Sequence, residues 1–188
     1  MARNKKMLII GIAIILVIVS VVYFVSQFWD IALFIQTMSR EKQQGQVRLL
    51  CETDYQALLE ACREISRRVA EGDLKSGRYN VRHNPHPDVA VFPQPIIDLG
   101  PTCVIVSDEG AVQIEMMGGL DHFGVSAYPD DYKKPPFVGF KLGDKKLING
   151  LWYYDDGYEA NPRYYKKIDA LMQKGKSRQI EKDTDSVG

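Results

Sequence analysis

The hydrophobic pattern divides the chain sharply at Asp30. From Met7 to Trp29 no Asp, Glu, Lys or Arg occurs. At about 1.5 Å per residue such a run makes a helix of roughly 35 Å, enough to cross a hydrocarbon core of about 30 Å with some tilt. Residues 7–29 are therefore expected to be a transmembrane helix whose partner is the lipid bilayer. Beyond it, Ile31, Leu33, Phe34 and Met38 keep a helical spacing and predict an amphipathic stalk to about Glu41. Gln43-Gln-Gly-Gln46 predicts its end, because glycine is a poor helix former and glutamine has little to bury. Residues 30–48 are read as stalk and hinge, and residues 49–175 as one domain.

Within the domain, Thr53 and Gln56 have capping-box spacing and predict a helix start. Tyr55, Leu58, Leu59, Cys62, Ile65 and Val69 follow on one stripe, and Gly72 is placed as a left-handed terminator. Between Asp73 and Pro101 five prolines interrupt regular structure, leaving short extended pieces such as Asp88–Phe92 for a sheet edge. His83 and His86 lie there, but two histidines make an incomplete metal site, so a solvated loop and no metal are expected.

The clearest signal is a meander from Thr102 to Tyr128. A three-residue turn at Asp108-Glu-Gly110 pairs Val106 with Val112 and Val104 with Ile114. A second turn at Gly118-Gly-Leu-Asp121 pairs Met117 with His122, Met116 with Phe123, Ile114 with Val125 and Val112 with Ala127. Both registers send Val104, Val106, Val112, Ile114, Met116, Phe123, Val125 and Ala127 to one face. Further on, Phe137–Leu142 and Lys146–Tyr154 are strand candidates, the latter with a bulge or tight turn at Asn149-Gly150, and Asp155-Asp-Gly157 closes it. Asn161-Pro162 starts a last helix with Tyr164, Tyr165, Ile168, Leu171 and Met172 on its apolar stripe. Gly175 is expected to end it, and the polar residues 176–188 to form a disordered tail. The predicted class is α+β: a membrane helix, then two or three helices covering one face of an antiparallel sheet of four or five strands.

Charge and cysteines refine the setting. The chain has 24 basic and 24 acidic residues; Arg3, Lys5 and Lys6 belong to the anchor flank, leaving 21 against 24 beyond it. A mildly acidic domain has no electrostatic reason to bind nucleic acid. The basic flank at residues 1–6, with the next basic residue only at Arg40, predicts a cytoplasmic N-terminus and an extracytoplasmic domain at the cell membrane. A cleaved signal peptide starts similarly, but the apolar run is longer than the usual 7 to 15 residues or so and ends without a small-residue pair for a peptidase. Tyr23, Phe28 and Trp29 suit an interfacial aromatic belt. Cys51, Cys62 and Cys103 permit at most one intrachain bridge, and reduced thiols are expected.

Candidate chemistry is sparse. On the outer meander face Cys103 stands opposite Glu115, with His122 one diagonal away and Asp121 in the turn, the generic parts of a thiol acyl-transfer site. Gly118, Gly119, Asp121 and His122 are also a candidate contact surface, since paired glycines let a partner's backbone approach. Trp152, Tyr153, Tyr154 and Tyr158 beside Asp155 could form a sugar platform, although strand aromatics are first of all core residues. No cofactor motif occurs: there is no Walker loop, zinc-ligand pattern or nucleophile elbow. The leading expectation is a membrane-anchored interaction or scaffold domain with a protein partner. The alternatives are a tethered hydrolase or transferase using Cys103, Glu115 and His122, and a small-ligand or glycan binder around Trp152.

Overall fold

The computed structural model describes residues 2–82, 85–117, 122–128, 145–155 and 162–185. It divides into two compact units, Met1–Gln43 and Gln44–Gly188. The first unit lies within helix α1, Ala2–Val47. Among its described side chains, Leu16, Val22, Phe24, Phe28 and Trp29 are 62–69% exposed. Beyond Asp30 the helix continues without a break, and Ile31, Phe34 and Ile35 are 55–61% exposed and Leu33 46%. One helix of the described residues is thus long and apolar enough to cross a membrane.

The second unit is α+β. Its elements are the end of α1, a π-helical turn Arg48–Glu52, α2 (Tyr55–Ala70), β1 (Gly77–Asn80), a 3-10 turn Pro87–Val91, α3 (Gln94–Asp98), β2 (Cys103–Val106), β3 (Val112–Met117), β4 (Phe123–Ala127), β5 (Lys145–Ile148), β6 (Leu151–Asp155) and α4 (Pro162–Asp185). The described strands form one antiparallel sheet in the order β1-β2-β3-β4-β6-β5. This is one strand more than the four or five expected. β1 lies in the proline-rich crossing, and the segment read as one strand at Lys146–Tyr154 is a hairpin turning at Asn149-Gly150, with Gly150 at φ 87°. Where an extended piece was expected at Asp88–Phe92, Pro87–Val91 is a 3-10 turn: Pro87 sits at its start and His86 Nδ1 accepts from the Asp88 amide at 3.2 Å. Phe137–Leu142 lies outside the described residues.

The first hairpin has the expected register, with Val104 opposite Ile114 and Val106 opposite Val112. The second follows expectation from Val112–Ala127 to Glu115–Gly124 and then slips at a bulge, so Met117 and not Met116 faces Phe123. All eight residues assigned to the inner face are buried. α2 lies against β3, β4 and β5, burying Tyr55, Leu58, Leu59, Cys62 and Ile65. Its N-cap is Asp54, one residue after the expected Thr53: Asp54 Oδ1 accepts from the Ala57 amide at 3.0 Å, while Thr53 closes the π-turn by donating to the Arg48 carbonyl at 2.9 Å. Gly72, at φ 81°, ends α2 as expected.

Two glycines read as helix breakers sit inside helices. The hinge expected at residues 39–48 is helical to Val47, and within it Gly45 lets the Phe123 ring lie on the backbone; a Cβ there would stand 2.8 Å from its Cζ. The helix expected to stop at Gly175 runs on to Asp185. A Cβ at Gly175 would stand 1.7 Å from the Leu50 carbonyl oxygen, so α4 and the π-turn touch backbone to backbone. The start of the expected tail is therefore helical and bound: Arg178 donates to the Cys51 carbonyl at 3.1 Å and Gln179 to that of Thr53 at 2.8 Å, capping carbonyls at the end of the π-turn.

Candidate functional site

The strand pairing places Cys103 opposite Glu115 and Asn80 opposite Cys103, so β1, β2 and β3 bring Arg78, Cys103 and Glu115 to one face of the sheet. His122, just before β4, joins them: its Nδ1 and Arg78 Nη2 each lie 3.5 Å from Glu115 Oε1. This face is much drier than expected. Cys103 is fully buried, Glu115 4% exposed and Ser126 7%. Part of the shielding comes from Tyr154, which lies across Gly124 with its hydroxyl 3.5 Å from the Ile114 carbonyl oxygen. Arg78 and His122 reach solvent, with side chains 55% and 38% exposed.

The electrostatics run against a reactive thiol. Burial first, then the adjacent Glu115 carboxylate, pushes the Cys103 pKa up to about 11, with only Arg78 opposing. A nucleophilic cysteine needs a cation or base at sulfur to stabilise thiolate. Here sulfur borders a carboxylate, and the imidazole engages that carboxylate from its own side. The set is suited to holding a buried acid between two solvent-reaching basic side chains. Cys62 is likewise pushed up to about 12 by burial, and Cys51 upward, mainly by burial. All three cysteines are free thiols.

Of the candidate contact residues, Gly118, Gly119 and Asp121 lie outside the described residues. Trp152 is half-buried on the same face, opposite Ser126, and its Nε1 has no hydrogen-bond partner among the described residues. The aromatic run does not form one platform: Tyr153 points to the opposite, helix-covered face and is fully buried, Tyr154 is 7% exposed, and Tyr158 lies outside the described residues. His86 is used as a cap and packs edge-on against Tyr79, with ring centroids 5.0 Å apart; His83 is outside the described residues. Among the described residues no group of three or more His, Cys, Asp or Glu is placed to hold a metal ion.

A second polar centre escaped the sequence reading. Asp155, expected as a turn residue, is fully buried. Its Oδ2 accepts from Tyr153 Oη at 2.6 Å, Tyr164 Oη at 2.8 Å and Gln46 Nε2 at 2.9 Å. Burial, reinforced by the Asp155 charge, raises the Tyr153 hydroxyl well above its ordinary pKa, so it remains a donor. Gln46 is also fully buried, and its Oε1 has no partner among the described residues. The centre joins the last turn of α1 to β6 and α4. Asp-Asp-Gly after a strand carries the ordinary signature of an exposed turn, which is why nothing in the sequence marked Asp155.

Comparison with known protein families, curated proteins and solved structures returns no match.

Proposed function

We propose that this protein is a single-pass membrane-anchored interaction module: α1 holds it in the bilayer, and its α+β domain binds a protein partner without chemistry of its own. The observation that carries the reading is the coat of exposed apolar side chains on α1, which only hydrocarbon or another apolar surface satisfies. The basic residues Arg3, Lys5 and Lys6 favour a cytoplasmic N-terminus, with the domain on the outer side of the cell membrane. The domain's polar groups support a binding role over catalysis. Its thiols are buried and held protonated, and Asp155 is engaged by three donors. Arg78 and His122, reaching solvent on either side of Glu115, form with Trp152 the contact surface we assign to the partner.

Two measurements test this. Alkaline carbonate should leave the full-length protein in the membrane pellet, and protease added outside intact spheroplasts should digest the domain. A photo-crosslinker at His122 should capture a discrete protein, and Cys103→Ser should leave that capture unchanged. Release by carbonate would end the anchor reading, and loss of function with Cys103→Ser in a well-folded protein would favour the thiol enzyme.

A further inference from the structure

Charge is spread unevenly along the chain. Of the 21 basic and 24 acidic residues beyond the anchor flank, residues 163–178 hold six and one, leaving 15 against 23 elsewhere. This stretch lies within α4, where at about 100° of turn per residue Arg163, Lys166, Lys167, Lys174 and Arg178 fall within an arc of about 120°. All five are exposed, and the other residues of the arc are the small Ala170 and Ser177. Ile168, Met172 and Gly175 lie on the opposite side and are buried, so the domain core takes up the apolar side of the helix. α2 makes the contrast. Its arginines are interleaved with acids, Arg63 meeting Glu60 at 3.0 Å and Arg67 meeting Glu71 at 2.6 Å. On α4 the one acid before residue 180 is Asp169, which Lys145 meets from β5 at 3.1 Å.

We infer that this side of α4 is a docking surface for an acidic segment of a protein partner, a second surface that goes beyond the Arg78–His122 contact and stands without it. Charge complementarity selects the occupant. Five cations spread over about 22 Å of helix repel one another, and carboxylates laid along them relieve that repulsion and accept charge-assisted hydrogen bonds. Between Lys167 and Lys174 the small side chain of Ala170 leaves room for the segment to lie close. A bilayer surface fits less well: helices that lie on membranes put Trp, Phe or Leu into the boundary beside their lysines, and this arc carries none. The same face of a second copy would set cation against cation.

The test uses the full-length chain in non-ionic detergent and follows the fluorescence anisotropy of a labelled decaglutamate peptide, with decaglutamine as control. Decaglutamate alone should bind, and more weakly as salt is raised. Lys166→Gln, Lys167→Gln and Lys174→Gln together should weaken it about ten-fold, the loss of three exposed charge pairs. Arg178, which holds the Cys51 carbonyl, is left in place. Removing the same charge from α2 with Arg63→Gln, Arg67→Gln and Arg68→Gln should change binding by less than about two-fold. No binding of decaglutamate, or an equal loss in the two triple variants, overturns the inference. A photo-crosslinker at Ala170 in intact membranes then tells the occupant apart. An adduct on an Asp- or Glu-rich protein segment is expected, whereas an adduct on lipid, on another copy of this chain, or none at all overturns the inference as well. Neither measurement involves His122, so failure here leaves the Arg78–His122 surface standing, and failure of capture at His122 leaves this one.

Discussion

α1 before Gln44 and α2 are both rich in large apolar residues, yet they distribute them oppositely. In α2 they form a stripe, and Leu58, Leu59 and Ile65 are at most 2% exposed; in α1 they ring the helix, and Val17, Val22 and Phe24 are 62–63% exposed. The difference teaches that solvent, more than composition, decides what an apolar helix is for: one face suffices where water wets the other, and a full coat requires hydrocarbon.

The strongest way to break that contrast is to place a charge in each helix. Leu58→Asp buries a carboxylate in the domain core and should cost at least about 4 kcal/mol, abolishing the cooperative melt of the full-length protein in detergent. Val17→Asp should leave the domain's melt unchanged and instead lower the membrane-inserted fraction, at an insertion cost of about 2.5–3.5 kcal/mol. Equal effects on the melt would erase the distinction.

Glycine gives the next largest effect. Gly→Ala in an exposed helix interior gains about 1 kcal/mol, but Gly175→Ala should destabilise the domain by about 3 kcal/mol in denaturant titration, because its methyl meets the Leu50 carbonyl. Gly72→Ala, with open space but φ 81°, should cost only about 1 kcal/mol.

Two carboxylates, Asp155 buried in the domain and Asp30 exposed on α1, sharpen the contrast further. Asp155→Asn removes the charged acceptor of three donors and should lower stability by about 1–3 kcal/mol. Asp30→Asn should not move the domain's melting temperature.

The last contrast is a pH response confined to the domain. The folded thiols of Cys62 and Cys103 titrate at about 12 and about 11, above the ordinary 9.0. The unfolded chain therefore releases these protons first. Their contribution is intact below pH 9 and falls as pH rises toward 11, by about 1.4 kcal/mol per pH unit and thiol. Melting temperature should drop across that window, with a shallower slope in Cys103→Ala; a flat profile would contradict the buried placement.

Legibility followed the same physics. Period-two alternation over β2, β3 and β4 exposed the fold class and most of the register, because a one-residue slip would have turned every apolar side chain outward. The bulge at Met116 left no such trace, since Met116 and Met117 are both apolar and both buried. Gly45 and Gly175 were illegible for a different reason: a glycine that breaks a helix and one that admits another backbone are identical in one sequence, and only the crossing element distinguishes them. In the candidate site, the Cys103–Glu115 pairing followed from the turn length. Neither the burial of that face nor the Asp155 centre did, because both depend on chain segments distant in sequence.

The grip of α4 on the π-turn also dictates an order of events at the ribosome. Arg178 binds the Cys51 carbonyl across a separation of 127 residues. At about 5–20 residues per second of synthesis, several seconds pass after the turn emerges before its clasp exists. The contact between the two ends of the domain therefore cannot form until synthesis of the chain is almost finished.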